Sequence, residues 1–406
     1  MLKDANLLAK VAENPALVFL TGKRSVLLLQ GPVGPFFDRL TSWLEVGGSV
    51  VNRIVFSGGD LRDSQSKKRA IRFTQPLTDW PTFLVEKLAA LQVQAVVLFG
   101  QDRPYHKKAI KCCEKLGVGV VVLEEGYFRP GFITMEIGGV NARSSSLEQY
   151  FWSGSKEVSP QGHTSFFRVS SIAIRHYLGI IKACSSFPNY QHHRGTHLFP
   201  YVAHWLTSWA RKFVNLQKNQ TMQAALFDSG TPYYFMPFQY EFDSQIVNHS
   251  DFADNFDAAN RVLRSFAANA LPGTFMVFKE HPHGRASRLL KLCTHALARE
   301  LGVEGRLVYL VEGDTPKLVK NARGVVVINS TVGIGAIAHQ LPVISLGRAI
   351  YNRPEVCFQG SLDDFWTQAK APDPLAAREF LVQLKNLTQV PADIYAHRSK
   401  ALLWPR

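Results

Sequence analysis

Residues 25–44 read SVLLLQGPVGPFFDRLTSWL, and this stretch decides the fold class of the chain. The apolar run at residues 25–30 predicts a strand that is covered on both faces, as in parallel sheets. A turn rich in glycine and proline follows, and the pattern from residue 36 to residue 44 predicts a helix. A buried strand that leads through a tight turn into a helix is the repeating unit of a doubly wound α/β sheet.

The same alternation of strand and helix recurs along the chain in two blocks. In the first block we predict further strands at residues 50–56, 95–99 and 118–123. In the second block we predict strands at residues 233–238, 275–279, 306–310, 324–328 and 343–346. Between the blocks, about residues 145–225 are aromatic and basic, and we interpret them as helices with a loop around residues 192–197.

The two blocks predict two domains, because 406 residues exceed the usual size of one domain. We predict an N-terminal domain over residues 1–225, with the helical insertion at about 145–225. The second domain is expected over residues 226–373. The tail at 374–406 is expected to be helical and to pack back on the first domain.

The chain is strongly basic, with 46 Lys and Arg residues against 32 Asp and Glu residues and a net charge of +14. Such a field attracts nucleic acid, an anionic membrane surface, or phosphorylated and carboxylated substrates. The basic residues are dispersed, and the sequence has no module typical of nucleic-acid-binding proteins. We therefore expect an anionic substrate and a membrane surface as partners, and no nucleic acid.

The sequence also predicts the compartment. It has no apolar run of about 18 residues and no signal-peptide pattern, so we expect a cytoplasmic protein that contacts a membrane only peripherally. The five cysteines have no CxxC spacing, which favours reduced thiols over a zinc site or disulfides.

Polar residues follow several predicted strands, and strand ends are where open α/β sheets bind ligands. In the first half, Gly31 and Gly34 allow backbone to approach an anion at a helix N-terminus, although an ordinary tight turn also explains them. Glu124 and Glu125 lie near Arg129 and suit acid/base chemistry. The alternative is a solvated turn in which the arginine pairs with a glutamate.

In the second half, Gln239, Asp243 and Gln245 follow a strand of unusual aromatic content. Asp243 can serve as a nucleophile or base, with the glutamines holding a sugar, or it can simply cap the next helix.

Two further clusters in the second half carry groups that bind anions. The first cluster comprises Lys279, His281, Pro282 and Arg285, and the second comprises Asn329, Ser330 and Thr331. The histidines of the first cluster could also hold a metal, although no third ligand is near, and the hydroxyls of the second cluster could simply cap a helix.

Five segments in this order, LLLQGPVGPFF, EEGYFRPGFIT, QYEFDSQI, FKEHPHG and NSTVG, resemble the capsule polysaccharide biosynthesis and export proteins of Gram-negative bacteria. Within that family, residues 25–350 look most like the small retaining β-Kdo transferase that starts the linker between capsule and lipid. The resemblance implies a GT-B-like pair of Rossmann domains facing a cleft. It also implies CMP-Kdo as donor (Kdo is an eight-carbon acidic sugar) and a (lyso)phosphatidylglycerol-type glycolipid acceptor at the inner membrane, together with other capsule assembly proteins.

The resemblance also implies roles for single residues. Asp243 takes the place of the nucleophile, and Glu124 or Glu125 matches the acidic motif of the N-terminal domain. The resemblance also implies that His281 and Pro282 hold the cytidine nucleotide, and that Ser330 and Thr331 lie near the donor phosphate or the sugar carboxylate. From the residues themselves we predict that the donor is also bound by Lys279, Arg285, Asn329, Gln239 and Gln245. We predict that the acceptor is bound by Gly31, Gly34, Tyr127 and Arg129.

The sequence contains no DxD pair of the kind that holds a metal-bound nucleotide, so we predict neither metal nor cofactor. Lys279, Arg285 and helix dipoles would then stabilise the donor's charge. Two other functions share some of these features: a sialyltransferase-like CMP-sugar enzyme, and a non-catalytic capsule export scaffold. A scaffold has no need of Asp243 and His281 at strand ends, which favours an enzyme.

Overall fold

The computed structural model describes residues 9–11, 13–64, 69–153, 158–162, 164–192, 198–240, 244–282, 284 and 288–396. The chain divides into two compact units. Unit 1 comprises Met1–Gly195 and Val382–Arg406, and unit 2 comprises Thr196–Leu381.

Unit 1 alternates strands and helices as the apolar runs predict. Its strands are β1 (Ala9–Val11), β2 (Ser25–Leu28), β3 (Val50–Val55), β4 (Ala70–Arg72), β5 (Ala95–Phe99), β6 (Gly119–Glu125), β7 (Phe132–Ile137), β8 (Tyr150–Trp152) and β14 (Gln389–Pro391). Its helices are α1 (Pro15–Thr21), α2 (Phe36–Val46), α3 (Gly58–Asp63), α4 (Trp80–Ala90), α5 (Pro104–Leu116), α6 (Ser146–Gln149) and α7 (Phe166–Lys182).

The main sheet of unit 1 has seven strands in the order β14-β7-β6-β5-β2-β3-β4. Strands β2 to β6 pair in parallel, whereas β7 and β14 are antiparallel additions at one edge. The chain runs from β2 outward to β3 and β4 and then returns to β5, so the topological switch point lies between β2 and β5. Apolar clusters cover both faces of this sheet, because neighbouring residues such as Leu27 and Leu28 belong to different clusters.

Unit 2 contains a five-stranded parallel sheet. Its strands are β9 (Tyr233–Pro237), β10 (Phe275–Lys279), β11 (Leu307–Leu310), β12 (Gly324–Val327) and β13 (Val343–Ser345). Its helices are α8 (Leu198–Asp228), α9 (Ser244–His249), α10 (Asn255–Asn269), α11 (Leu289–Glu300), α12 (Thr315–Lys320), α13 (Val332–Ala338) and α14 (Leu362–Gln368), and α15 (Pro374–Thr388) runs from unit 2 into unit 1. The order β11-β10-β9-β12-β13 places a switch point between β9 and β12.

The fold class predicted from the sequence is confirmed, since both sheets are doubly wound α/β sheets. The division between the units differs from the predicted boundary near residue 225, because it precedes α8. Side chains of α8 explain this difference. The Asn219 side-chain oxygen accepts from the Val311 amide at 2.6 Å, and that of Gln223 accepts from the Asp314 amide at 3.0 Å, so α8 is bound to the loop after β11.

The last described part of the chain belongs to unit 1 and forms a strand in addition to a helix. Strand β14 pairs with β7, and the Arg39 guanidinium donates to the Asp393 carbonyl. Within the described residues, no helix has both the length and the apolar character needed to cross a membrane.

Candidate functional site

A buried polar pair bridges the switch point of unit 2. Gln239 follows β9 and Asn329 follows β12, and the Gln239 side-chain amide donates to Asn329 Oδ1 at 2.9 Å. Asn255 fixes Gln239 from α10, because its side-chain amide donates to the Gln239 carbonyl at 2.8 Å and its Oδ1 accepts from the Gln239 amide at 3.1 Å. The two predicted residues therefore come together, and Asn255 is a supporting residue that the sequence reasoning missed.

Two hydroxyl groups adjoin this pair at the start of α13. Ser330 Oγ accepts from the Val332 amide at 3.3 Å, and the Ser330 carbonyl accepts from the Tyr351 hydroxyl at 2.5 Å. Thr331 occupies the N-cap position but makes no side-chain capping hydrogen bond. Simple capping, the alternative considered for this motif, therefore does not account for Thr331.

A charged cluster lies buried after β10. The Glu280 carboxylate accepts from the Tyr309 hydroxyl at 3.1 Å and lies 3.8 Å from the Arg211 guanidinium. The Lys279 ammonium is also buried and donates to the Glu280 carbonyl at 3.1 Å. Lys279, one of the predicted donor-binding residues, therefore has its head group buried beside Glu280. Arg211 and Tyr309, which complete the cluster, come from distant parts of the sequence.

The next residues along this edge are His281 and Pro282. The His281 ring lies 6.1 Å from the Tyr240 ring, so the residues that follow two adjacent strands meet here. The Pro282 carbonyl accepts from the Ser208 hydroxyl of α8 at 3.2 Å. Asp243 and Arg285 lie outside the described residues, as does the side chain of Gln245, whose backbone belongs to α9.

In unit 1, the acidic motif after β6 separates into two different environments. Glu125 and Arg129 form an ion pair with both side chains about half exposed (52% each), which is the solvated turn considered as the alternative. Glu124 is partly buried. Tyr127 is buried, and its hydroxyl donates to Glu136 at 3.1 Å. Tyr127, one of the predicted acceptor-binding residues, therefore has its hydroxyl engaged inside unit 1.

Glu136 is a buried carboxyl group that the sequence reasoning missed. It lies on β7 with 1% of its surface exposed and accepts hydrogen bonds from the hydroxyls of Ser144, Ser146 and Tyr127. Burial raises the pKa of Glu136 to about 7, against the lowering effect of these donors. The only sequence signal for it is an acidic residue inside the apolar pattern FITMEI.

The glycine-rich turn after β2 borders a cavity of about 350 Å³. Gly34 has a φ of +105°, which favours glycine, and its amide donates to Asp63 at 2.9 Å. The Gly31 carbonyl accepts from the Arg103 guanidinium at 3.1 Å. The cavity is lined by Gly34, Pro35, Arg62, Asp63, Arg168, Ile172 and Arg175. Of the predicted residues, Gly34 therefore lines a cavity, whereas Gly31 takes part in the packing of the turn.

Across the ranges that the structure describes, no group of three or more His, Cys, Asp or Glu side chains is arranged to hold a metal ion.

These features define an α/β protein with two doubly wound sheets and a polar cluster at the switch point of the second sheet, a position where open α/β sheets bind ligands. Residues 94–395 match the family described as "Capsule polysaccharide biosynthesis protein", and the chain belongs to this family. The family resemblance of the five sequence motifs is thereby confirmed.

The relatives cover nearly the whole chain. It is 32% identical over 388 residues to the capsule polysaccharide export protein KpsS of Escherichia coli, covering 94% of this chain and 99% of that protein. It is 31% identical over 405 residues to the capsule polysaccharide modification protein LipB of Neisseria meningitidis serogroup B, covering 95% of each. Among solved structures it is similar to Thermosulfurimonas dismutans KpsC, a beta Kdo 2,7 transferase, with 13% identity, a TM-score of 0.39, and 88% and 89% of the two chains covered.

Proposed function

We propose that this protein is a retaining β-Kdo glycosyltransferase that uses CMP-Kdo to build the linker of a capsular polysaccharide. The observation that carries the proposal is the Gln239–Asn329 pair, which joins the two strand ends at the switch point of unit 2. This is the position where doubly wound sheets bind nucleotides. Membership of the capsule polysaccharide biosynthesis family supplies the biological context.

The donor is proposed to bind along the same edge of unit 2. His281 and Pro282 hold the cytidine nucleotide, and Ser330 and Thr331 donate hydrogen bonds to its phosphate or to the sugar carboxylate. Charge-assisted hydrogen bonds of this kind are short and strong. The net charge of +14 favours a donor that carries both phosphate and carboxylate.

The proposed chemistry has two displacement steps. The Asp243 carboxylate forms a bond to the anomeric carbon while the bond to the CMP phosphate oxygen breaks, and CMP leaves with the electron pair. An acceptor hydroxyl then displaces the carboxylate and gives its proton to a general base, Glu124 or Glu125. Two inversions retain the anomeric configuration. Because Glu125 is exposed and paired with Arg129, Glu124 is the better candidate for the base.

The acceptor is proposed to be a (lyso)phosphatidylglycerol-type lipid. The protein would then work at the cytoplasmic face of the inner membrane, in contact with other capsule assembly proteins.

The test is Asp243→Asn, assayed for CMP release and for the mass of the glycolipid product. Losing a nucleophile lowers the rate by several orders of magnitude while the protein stays folded, whereas losing a helix cap costs about 1 kcal/mol of stability. Asp251→Asn is the matched control, since Asp251 is an exposed aspartate paired with Arg348 at 3.3 Å. Near-normal turnover of Asp243→Asn would remove it as nucleophile, and Glu124→Gln and Glu125→Gln would be tested next.

The same assay separates the alternatives. If CMP is released only with a different CMP-sugar, such as CMP-sialic acid, that sugar nucleotide replaces CMP-Kdo as the proposed donor. No release with any donor by the folded wild-type protein would favour the export scaffold.

A further inference from the structure

Helix α7 of unit 1 has an exposed apolar stripe. Its residues Phe167, Ile174, Leu178 and Ile181 are 85%, 59%, 44% and 47% exposed. At about 100° per residue these four positions fall on one face of the helix. That face points away from α3, because His176 on the opposite side of α7 is buried against α3.

A basic row runs beside the apolar stripe. Arg168, Arg175 and Lys182 are spaced seven residues apart, which places them between the buried face and the stripe. All three are exposed, and α7 contains no Asp or Glu. An apolar face flanked by Lys and Arg is the pattern of helices that lie in the interface of an anionic membrane.

The basic row opens onto the 350 Å³ cavity at the glycine-rich turn. Arg62 of α3 joins Arg168 and Arg175 in its lining, together with a single carboxylate, Asp63. Asp63 is already engaged, since its Oδ2 accepts from the Gly34 amide at 2.9 Å and lies 2.7 Å from His176 Nδ1. None of the three guanidinium groups forms an ion pair with another described residue. The cavity is therefore positively charged.

We propose that α7 lies in the plane of an anionic phospholipid surface, with its apolar stripe among the acyl chains and the phosphate of one lipid in the arginine cavity. Guanidinium groups match phosphate oxygens in geometry and charge. A soluble phosphate ligand would explain the arginines but not the apolar stripe. A partner helix would explain the stripe, but it would not explain a row of basic residues without acidic ones beside a cavity. The inference rests on the proposed function only for the idea that this lipid is the acceptor.

The experiment measures sedimentation of the full chain with phosphatidylcholine vesicles, with and without phosphatidylglycerol, in the absence of any nucleotide sugar. We expect strong binding only to the anionic vesicles, falling with salt. Arg168→Ala/Arg175→Ala should weaken it about thirtyfold, at about 1 kcal/mol per charge. The matched control is Lys111→Ala/Lys115→Ala, which removes the same charge from the exposed face of α5.

A second pair of variants tests the apolar stripe. Ile174→Ser/Leu178→Ser should weaken binding at least about tenfold, whereas Val46→Ser/Leu116→Ser, on two other exposed apolar residues of unit 1, should not. Phe167→Ser tests the same surface at its most exposed side chain if the double variant unfolds.

The inference would be overturned by equal binding to neutral and anionic vesicles, by stripe variants that bind like wild type, or by a self-associating chain whose dimer is lost in those variants. Tight binding of glycerol phosphate or inorganic phosphate in solution, with no vesicle binding, would show a soluble phosphate site instead. CMP release is measured in parallel. Turnover without α7-dependent vesicle binding refutes only this inference, and vesicle binding without turnover refutes only the proposed function.

Discussion

At the residue scale, the buried Glu136 makes the stability of unit 1 depend on pH. Its pKa is about 7 in the folded protein and about 4.5 when exposed. Its protonated form is therefore favoured by folding. This contribution is fully present below about pH 4.5 and is lost as the pH rises through about 7. For a group with 1% exposure, the difference corresponds to on the order of 3 kcal/mol.

Glu136→Gln tests this dependence because glutamine cannot ionise. We expect urea unfolding at pH 5 and pH 8 to show a smaller loss of stability in this variant than in the wild type. Glu125→Gln is the control for the substitution itself, since it makes the same chemical change at a side chain that is half exposed. The same pH slope in wild type and Glu136→Gln would contradict the assignment.

The contrast between these carboxylates shows what sequence reasoning can find at this scale. Adjacent Glu124 and Glu125 at a strand end attract attention because the pattern is local. The environment of Glu136 is made by Tyr127, Ser144 and Ser146, which reach it only after β6 and β7 pair. When a side chain is buried by antiparallel strand pairing, the residues around it have no characteristic spacing in the sequence. A single acidic residue in an apolar run was therefore overlooked.

At the element scale, the position of α7 depends on a close crossing with α3. A Cβ added at Gly58 would lie 2.2 Å from the Gly179 carbonyl oxygen. Gly58→Ala should therefore force the helices apart, at a cost of about 1–3 kcal/mol. It should also weaken binding to anionic vesicles, because Arg168 and Arg175 would move away from Arg62.

Gly335→Ala is the matched control for this crossing. Gly335 lies in α13, and a Cβ there would meet nothing within 4 Å. Alanine is favoured over glycine inside helices, so this variant should gain roughly 0.5–1 kcal/mol. Thermal unfolding and vesicle sedimentation measure both effects. If Gly58→Ala is as stable as Gly335→Ala and binds vesicles normally, the crossing does not set the position of α7.

The predicted elements were most accurate where a strand is central and parallel. Ala95–Phe99 and Phe275–Lys279 were predicted with their observed bounds, because a strand covered on both faces leaves a continuous apolar run. Strands β4, β7 and β14, which lie toward the two sides of the unit 1 sheet, were missed. β4 and β14 have only three residues each, β7 runs antiparallel to β6, and β14 pairs with a strand far away along the chain.

At the scale of the whole molecule, two sheets with equivalent switch points do not by themselves decide which unit binds the nucleotide. The side chains at the two points differ. Unit 2 presents the amides and hydroxyls of Gln239, Asn329 and Ser330, whereas unit 1 presents three arginines around a cavity. We assign the nucleotide to unit 2 and the lipid phosphate to unit 1.

This assignment predicts where CMP protects the chain from hydrogen exchange. Protection should rise around residues 239–240, 281 and 329–331, and unit 1 should stay unchanged. At a CMP concentration of 100 times Kd, the bound state gains about 2.7 kcal/mol, which is large enough to slow exchange at these strand ends by roughly a hundredfold.

Two histidine variants make this prediction specific to the proposed contact. His281→Ala should weaken CMP binding in calorimetry by roughly tenfold to a hundredfold, as expected for a hydrogen bond to a charged group. His339→Ala should have no effect, because His339 is an exposed histidine after α13 in the same unit. Protection by CMP in unit 1, or equal CMP affinity in both variants, would move the nucleotide away from His281. The Gln239–Asn329 pair would then have only a structural role, because its position at the switch point matters for function only if a ligand binds there.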